Sequence, residues 1–564
     1  MNGRGERRPS RSPRGVDTRR AGLMSQPKVN QCLAILCIGY AGFACGVGSA
    51  SAQGWSHLGG TPSRGAIAQT PGVPFGGLPV WTVSQTTGGL PIDFVELAGV
   101  VTNDTHAYAH GFVDGIDALV AVELTAGTVA WYEELAWQVF DSWSTPAVAD
   151  GAVYAASGDE LASLDAATGS HRFTTILIHD VVNSSPVVTT DLGAADRVFI
   201  TGYDGSGFEG GGALYCINAD PFDAALNPYQ PGDIVWVAPL RASSGNTAAY
   251  HDGVVYVADT GLPFNGVPGR LYAFDAHADA APTPEWTSDN PLPLGFFGGV
   301  SLRIDEQTGA ATTVYAATYA FGTGDPANLL AVDASTGAVR WQAPCNRTSS
   351  TPLPLSGGLV AVSAGIDGFG SRPSLALYRD HGDSGELLWD TAIEAQQPGG
   401  ITPRIGGLNI GHWTQFPVAL RGPGGTPRLL VPAYDGTPAD DFDGPTDLLI
   451  LDPRVPPNED AFYAGSLRGG GASPAAGRLI VTIGPGGLAA FETDPVLAAD
   501  VDGDGRVNIE DLYEAYELEV SSPSSPARDV TRDGVIDGAD LPALRWLLRR
   551  DEFRLMGERA EIAP

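Results

Sequence analysis

The chain has 564 residues, of which 74 are glycine and 43 proline, and its formal net charge is −33. Glycine and proline in this abundance, without a collagen-like period, favour many short strands joined by tight turns. The excess of carboxylates repels phosphate backbones, so nucleic acid is not an expected partner. The one lysine, Lys28, lies in the predicted leader, which leaves a mature protein without a Schiff-base or phosphate-loop lysine.

The N-terminus has the pattern of an export signal. An arginine-rich region, residues 1–23, precedes the apolar run "CLAILCIGYAGFAC" and a small-residue cleavage site, "SASA", before Gln53. We therefore predict a signal peptide over residues 1–52, with Met24 as an alternative start. The apolar run is short for a membrane span, which needs about 20 residues, and no other segment reaches that length. We expect a soluble exported protein that is secreted, periplasmic or at the cell surface.

A repeat runs through the middle of the chain. Its clearest unit, "LLAVDASTGAVRWQAP" at residues 329–344, is a strand ending in Asp333, a turn with Gly337, and a strand containing Trp341. Glycine allows the positive φ of a tight turn, aspartate accepts backbone N–H bonds, and the aromatic residue can bury against the next unit. Weaker copies surround Trp131, Phe173, Trp236, Trp286, Trp389 and Phe462.

Each copy follows two further strand-like runs, so one unit is four short antiparallel strands. We count eight units, with seven as the alternative. The last, at residues 477–494, lacks its aromatic strand, whereas "LPVWTVS" at residues 78–84 is an unassigned one. Pairing the two closes a ring without an exposed edge. The prediction is an all-β chain over residues 53–494, folded as an eight-bladed β-propeller.

The pattern of Ala331, Asp333, Thr336, Gly337 and Trp341 resembles the tryptophan-docking repeat of pyrroloquinoline-quinone-like propellers. That superfamily includes quinoprotein alcohol dehydrogenases and the assembly lipoprotein BamB. The opening "GWSHLGGTPSRG", residues 54–65, also resembles the lead-in of exported members. Quinoprotein dehydrogenases hold their cofactor with an adjacent-cysteine disulfide and calcium-bound carboxylates. This sequence has no Cys-Cys pair, so the resemblance does not favour a bound quinone.

Two cysteines, Cys216 and Cys345, follow the leader. They could form one disulfide, or they could be buried free thiols in separate strands. The sequence contains neither a Gly-x-Ser-x-Gly elbow nor a His-Glu-x-x-His motif. Acidic, glycine-rich loops between second and third strands form a candidate binding face, with inserted loops tolerated at exposed tips as the plainer explanation. The candidate residues there are Asp204, Asp367, Asp435, Asp441, Asp443 and Asp447.

The C-terminal region contains two acidic 12-residue loops in the same register. Calcium takes six to eight oxygen ligands, and such a loop can supply them from positions 1, 3, 5, 7, 9 and 12. The first set is Asp500, Asp502, Asp504, the Arg506 carbonyl, Asn508 and Asp511. The second set is Asp529, Thr531, Asp533, the Val535 carbonyl, Asp537 and Asp540. Glycine occupies position 6 of both loops, and an apolar helical pattern follows each one.

A duplicated loop and helix with aspartate at position 12 resembles a type I dockerin, over residues 495–555, with 556–564 as a tail. The resemblance implies a small all-α domain, two Ca²⁺ sites, and docking to a cohesin-like or other cell-surface protein. Positions 10 and 11 carry cohesin recognition in that family. Here they are Ile509-Glu510 and Gly538-Ala539, neither the usual Ser/Thr pair nor alike, so two-fold symmetric docking is not implied.

Three functions remain open at this point. The favoured one is an exported, calcium-binding interaction protein whose propeller binds a partner or a glycan and whose C-terminal module docks it elsewhere. The second is a polysaccharide-active enzyme, a glycosyl hydrolase or lyase with the propeller as catalytic domain, since dockerins are common on such enzymes. The third is a quinone-dependent oxidoreductase.

Overall fold

The computed structural model describes residues 54–492 apart from internal gaps. The predicted leader, the calcium loops and the rest of residues 493–564 lie outside the described residues. So do the candidate face residues Asp367, Asp435, Asp441 and Asp443. The gaps are 72–78, 139–141, 143, 194, 206–210, 244, 321–326, 366–372, 395–408, 422–426, 435–446, 452, 455–461, 464–471, 476–477 and 483–485.

The described residues form eight sheets, which follow one another along the chain and are called blades 1–8 here, and successive strands within each blade are antiparallel. Two strands, β1 (Ile67–Pro71) and β2 (Trp81–Val83), precede blade 1 and join later blades. Blade 1 contains β3 (Ile92–Phe94), β4 (Val101–Thr102), β5 (His106–Val113), β6 (Ile116–Glu123) and β7 (Val129–Glu134). Blade 2 contains β8 (Ala147–Ala149), β9 (Ala152–Ser157), β10 (Glu160–Asp165) and β11 (His171–Ile176).

The next three blades have four strands each. Blade 3 contains β12 (Val187–Val188), β13 (Arg197–Tyr203), β14 (Gly212–Asn218) and β15 (Ile234–Leu240). Blade 4 contains β16 (Ala249–His251), β17 (Val254–Ala258), β18 (Arg270–Asp275) and β19 (Trp286–Asp289), with a 3₁₀ turn at Pro263–Asn265. Blade 5 contains β20 (Ser301–Ile304), β21 (Ala311–Ala317), β22 (Ala327–Asp333) and β23 (Val339–Cys345).

The last three blades complete the series. Blade 6 contains β24 (Leu353–Leu355), a 3₁₀ turn at Ser356–Gly358, β25 (Leu359–Ala364), β26 (Ser374–Asp380) and β27 (Gly385–Asp390), followed by the one-turn helix α1 (Thr391–Glu394). Blade 7 contains β28 (Asn409–Ile410), β29 (Val418–Arg421), β30 (Pro427–Tyr434), β31 (Asp447–Leu451) and β32 (Phe462–Tyr463). Blade 8 contains β33 (Ala472–Ala475), β34 (Arg478–Thr482) and β35 (Leu488–Glu492).

Blade 8 takes its outer strand from the other end of the chain. Strand β2 pairs antiparallel with β35, with Trp81 opposite Ala490. The eighth unit therefore has four strands only because the N-terminal "WTV" supplies the missing one. The predictions of eight blades and of closure by strand exchange between the ends are confirmed, and the alternative of seven is wrong.

The hydrophobic core is divided into layers between blades. Within the described residues, eight buried clusters each join two successive blades, and the last two join blade 7 to blade 8 and blade 8 to blade 1. Middle strands are consequently buried on both faces, as in β9, where all six residues are buried. Outer strands alternate, as in β11, because nothing in the described residues covers their second face.

Aromatic residues in outer strands pack against the turn of the next blade. Trp286 in blade 4 donates its indole N–H to the carbonyl oxygen of Ala334 in blade 5 at 2.9 Å. The turn residue Gly337 has φ 72°, and a Cβ there would lie 2.6 Å from the Trp286 ring. Asp333 Oδ1 accepts the backbone N–H of Thr336 at 2.9 Å, which holds that turn. The roles predicted for glycine, aspartate and tryptophan in the repeat are thus observed.

The two cysteines in the described residues are free and buried. Cys216 lies in β14 of blade 3 and Cys345 in β23 of blade 5. The alternative of a disulfide between them is therefore wrong. Burial raises the pKa of both thiols above the usual range, so neither is suited to act as a thiolate nucleophile at neutral pH.

In the described part of the chain, none of the helices is both long enough and apolar enough to cross a lipid bilayer.

We expect Trp81→Ala to open the ring. Trp81 is 9% exposed and donates its indole N–H to Leu124 O at 2.9 Å, so its removal leaves a cavity at the junction of blades 8 and 1. The loss of unfolding free energy should be about 3–5 kcal/mol, measured by urea denaturation. Thr82→Ala, on the exposed face of the same strand, should change it by about 0.5 kcal/mol or less. Equal effects of the two substitutions would contradict the closure.

Candidate functional site: the central channel

The innermost strands of the eight blades line a central channel. These strands are β4, β8, β12, β16, β20, β24, β29 and β33. Within its own blade, each of these strands is hydrogen-bonded along one edge only. Its other edge faces the channel, where its backbone groups need partners from elsewhere in the chain. Buried backbone N–H groups need an acceptor, and edge strands left open are sites of unwanted pairing.

Residues 54–66, here called the plug, supply those acceptors. The second residue of five inner strands donates its N–H to the plug. The bonds run from Thr102 to Trp55 O at 2.8 Å, Val148 to Ser56 O at 2.9 Å, Val188 to His57 Nε2 at 3.1 Å, Tyr250 to Pro62 O at 2.9 Å and Leu302 to Ser63 O at 3.0 Å. The plug therefore satisfies the inner edges of blades 1–5 in succession.

The remaining blades meet the plug, or the strand that follows it, in other ways. In blade 6 the equivalent residue is Pro354, which has no N–H to donate, and a Cβ on Gly65 would lie 3.2 Å from its Cγ. In blade 7, β1 continues from the plug and pairs parallel with β29. Trp55 packs in the core cluster shared by blades 7 and 8. Residues 54–71 thus reach all eight blades.

His57 is a buried hydrogen-bond acceptor in the plug. It is 1% exposed, its Nδ1 lies 2.8 Å from Ser56 Oγ, and its Nε2 accepts from Val188. These contacts require the neutral ring with its proton on Nδ1. Burial, and secondarily the positive charge of Arg64, lower the pKa of His57 well below its usual value. The imidazole is therefore neutral across the physiological range.

Arg64 ties the plug to blade 4. Its guanidinium donates from Nε to Ala248 O at 3.0 Å and from Nη1 to Leu58 O at 2.8 Å. The side chain is fully buried, and burial lowers its pKa to about 9. Among the described residues no carboxylate forms an ion pair with it. Its charge is therefore stabilised by carbonyl dipoles rather than by a counter-ion.

A cavity that is open to solvent lies at the mouth of the channel, where the links between blades enter the inner strands. Trp55, Leu58 and Gly59 of the plug contribute to its lining. The rest comes from residues just before or within inner strands, including Thr145, Ser185, Thr247, Thr351, Gln415 and Phe416. No lining side chain among the described residues is acidic, basic, histidine or cysteine. The cavity is polar but carries no ionisable group.

Hydroxyl groups at equivalent positions connect the blades around this mouth. Gly99 N donates to Thr145 Oγ1 at 2.7 Å, Thr145 N to Ser185 Oγ at 2.9 Å, and Ser185 N to Thr247 Oγ1 at 3.0 Å. The sequence signal is a serine or threonine two positions before four of the eight inner strands, as in "STPAV" and "SSPVV". Sequence reasoning did not single out these hydroxyl residues, and it named residues 54–65 only as resembling the lead-in of exported members, without predicting that they fill the channel.

The predicted face residues lie elsewhere. Asp204 is exposed at the end of β13 and accepts the Gly211 N–H at 2.7 Å, so it closes its own loop. The preceding Tyr203 donates its N–H to Asp180 O in the link between blades 2 and 3. Asp447 begins β31. In the part of the chain that the structure describes, three or more potential metal ligands do not cluster anywhere.

Comparisons with known proteins agree with this architecture. Residues 269–403 match the family model described as "Outer membrane protein assembly factor BamB". Protein Rv3035 of Mycobacterium tuberculosis (strain ATCC 25618 / H37Rv) is 30% identical over 227 residues, which are 38% of this chain and 46% of that relative. The aligned segment thus spans just under half of the relative's length.

Two solved structures are similar. Quinohemoprotein alcohol dehydrogenase from Comamonas testosteroni is 12% identical, with 92% of this chain and 97% of that chain covered and a TM-score of 0.52. BamB from Moraxella catarrhalis is 15% identical, with 74% and 97% covered and a TM-score of 0.45. The propeller repeats are of the pyrroloquinoline-quinone-like type. At these identities the structural likeness shows the fold alone.

A quinone cofactor does not fit this quinoprotein-like propeller. The resemblance implied an adjacent-cysteine disulfide and calcium-bound carboxylates around the cofactor. Cys216 and Cys345 are instead free thiols in different blades. The described lining of the channel mouth provides no carboxylate. The described residues of this cavity therefore lack the donor set that the resemblance implied for a calcium-bound quinone.

We expect the plug to lose stability in mild acid. The pKa of His57 is lowered in the folded state, so below about pH 6.5 the unfolded chain binds more protons. The free energy of unfolding should therefore fall with pH from about 6.5 to 5, where carboxylates are still ionised. Burial also lowers the pKa of His110 to about 4 and of His412 to about 3, so they add to the effect.

His57→Gln should flatten this decline, because a carboxamide oxygen can still accept the Val188 N–H but does not titrate. The slope should decrease by up to about 1.4 kcal/mol per pH unit, measured by denaturation at pH 7.5, 6.5, 5.8 and 5. The matched control is His171→Gln, at an exposed position on β11. An unchanged slope in the His57 variant would show that the plug histidine is not the titrating group.

Proposed function

We propose that this protein is an exported interaction protein. Its propeller is a binding platform without catalytic machinery, and its C-terminal module, residues 495–555, is ordered by Ca²⁺ and docks to a cohesin-like or other cell-surface partner. The sequence features that support export are the arginine-rich start, the apolar run and the small-residue site before Gln53.

The observation that carries the proposal for the propeller is the chemistry of its channel. The cavity at the channel mouth contains hydroxyl, amide, glycine and aromatic groups, but in the described residues no acid, base or thiol. General acid–base catalysis requires a side chain that can exchange a proton near neutral pH. The only ionisable groups of the plug, His57 and Arg64, are buried, bonded to the backbone and not part of the cavity lining. This arrangement suits recognition.

The support for the C-terminal module is its donor set. Each loop offers at least three carboxylates in 12 residues with glycine at the turn position. Crowded carboxylates repel one another until a divalent cation neutralises them, so metal binding and folding are coupled in such a module. The surrounding chain, at −33 overall, also attracts cations.

Pull-down experiments with the full chain test the proposal as a whole. We expect partner proteins from the native extracellular fraction to be retained with Ca²⁺ and released by a chelator. Deleting residues 495–564 should abolish that retention while the propeller remains folded. Turnover of a polysaccharide by the same deletion variant would contradict the assignment of the propeller as non-catalytic.

Calcium binding can be measured directly. Titration calorimetry of the full chain should reveal two sites, because each loop supplies its own ligands. Asp500→Ala and Asp529→Ala should each remove one site, since the first loop position contributes a carboxylate ligand. Glu519→Ala, which removes an acidic side chain outside both loops, is the matched control. Two intact sites in both aspartate variants would show that the loops were misassigned.

A further inference from the structure

We propose that the cavity at the channel mouth binds a neutral, hydroxyl-rich ligand, a sugar unit of an uncharged glycan. This inference rests on the proposed function, in which the propeller is a binding platform, and adds the class of ligand. The cavity is open to solvent, and small-molecule sites in proteins are likewise concave, with a few converging polar groups.

Three hydroxyl groups on one side of the cavity are already oriented. The oxygens of Thr145, Ser185 and Thr247 each accept a backbone N–H from the preceding blade. That bond occupies one lone pair and fixes the oxygen at the cavity wall, while the hydroxyl hydrogen can still be donated. Blades 2, 3 and 4 therefore present a row of donors whose positions are set by the ring itself.

Gln415 provides a donor that the protein does not use internally. The side chain lines the cavity from the link before β29, in blade 7, and the residue is 4% exposed. Its Nε2 has no hydrogen-bond partner among the described residues. A buried donor without an acceptor is costly and uncommon in native proteins. A ligand oxygen in the cavity would satisfy it.

Aromatic side chains supply the apolar part of the site. Trp55 and the half-buried Phe416 both line the cavity. A sugar ring has apolar C–H faces as well as hydroxyl edges, so it matches a wall that combines aromatic surface with hydroxyl and amide groups. A purely apolar ligand would leave these polar groups desolvated without partners.

The charge of the site distinguishes neutral from ionic ligands. A charged ligand is bound most favourably against a group of opposite charge, and the described lining offers none. The chain carries a net charge of −33, which additionally opposes the approach of an anion. An uncharged glycan is therefore favoured over one built from uronic acids.

The test uses the full chain in calcium-containing buffer. Cellohexaose, xylohexaose and mannohexaose are compared with hexagalacturonate by titration calorimetry and saturation-transfer NMR. We expect at least one neutral hexasaccharide to bind with a stoichiometry near one, and hexagalacturonate to bind at least about tenfold more weakly or not at all. Preferred binding of the acidic sugar would overturn the proposal, and so would no binding of any neutral one.

Two variants locate the binding site. Gln415→Leu removes the unused donor and should raise the Kd about tenfold, the effect of one lost hydrogen bond. Phe416→Leu keeps apolar volume but removes the ring, and should weaken binding to a similar extent. Gln307→Leu, at an exposed turn of blade 5, is the control and should leave the Kd unchanged. Wild-type affinity in both cavity variants would overturn the assignment.

The melting temperature separates recognition from structure. Because the Gln415 amide has an unsatisfied donor, Gln415→Leu should keep the wild-type melting temperature or raise it. A large decrease, together with unchanged sugar binding, would assign the residue a structural role only. If the pull-down recovers a calcium-dependent partner while no neutral sugar binds, the ligand assignment fails and the proposed function stands.

Discussion

The structure depends on one requirement, that the channel-facing edges of the innermost strands find hydrogen-bond partners. A ring of blades removes the edges between neighbouring sheets but leaves one open edge per blade along its axis. Residues 54–66 fill that position, and five inner strands donate an N–H to them at equivalent positions. Pro354 stands where one of the other blades would otherwise need an acceptor. The N-terminal segment is thus an integral part of the propeller core.

The same segment separates the polar interior from the open cavity. Arg64 and His57 of the plug are bonded to backbone groups and buried. Trp55 and Leu58 of the plug instead line the cavity, whose other described residues are neutral. The acidic character of the chain is therefore absent from the described surface of the cavity. This contrast supports the proposals of an uncharged ligand at the channel mouth and of a cation at the C-terminal loops.

The repeat could be predicted from sequence because its determinants are local. Gly337, Asp333 and Trp341 lie within nine residues of one another, and their turn, hydrogen bonds and packing follow from general rules. Ring closure was also predictable, because the last unit lacks one strand and the N-terminal "WTV" strand belongs to no other unit, so that pairing the two completes the eighth blade. The plug was not predictable, because its partners are scattered from Thr102 to Leu302 and share only a backbone N–H. The cavity was missed for a related reason: each blade contributes one or two small residues to it.

The plug and strand β2 belong to the beginning of the chain, yet they complete structure formed at its end. Trp81 in β2 pairs with Ala490 in β35, and β1 pairs with β29. Blades 7 and 8 therefore cannot be completed until both ends of the propeller have been synthesised. Pairings between residues so far apart in sequence give a high contact order, which is associated with slow folding. Until those pairings form, the unpaired strand edges are exposed to aggregation.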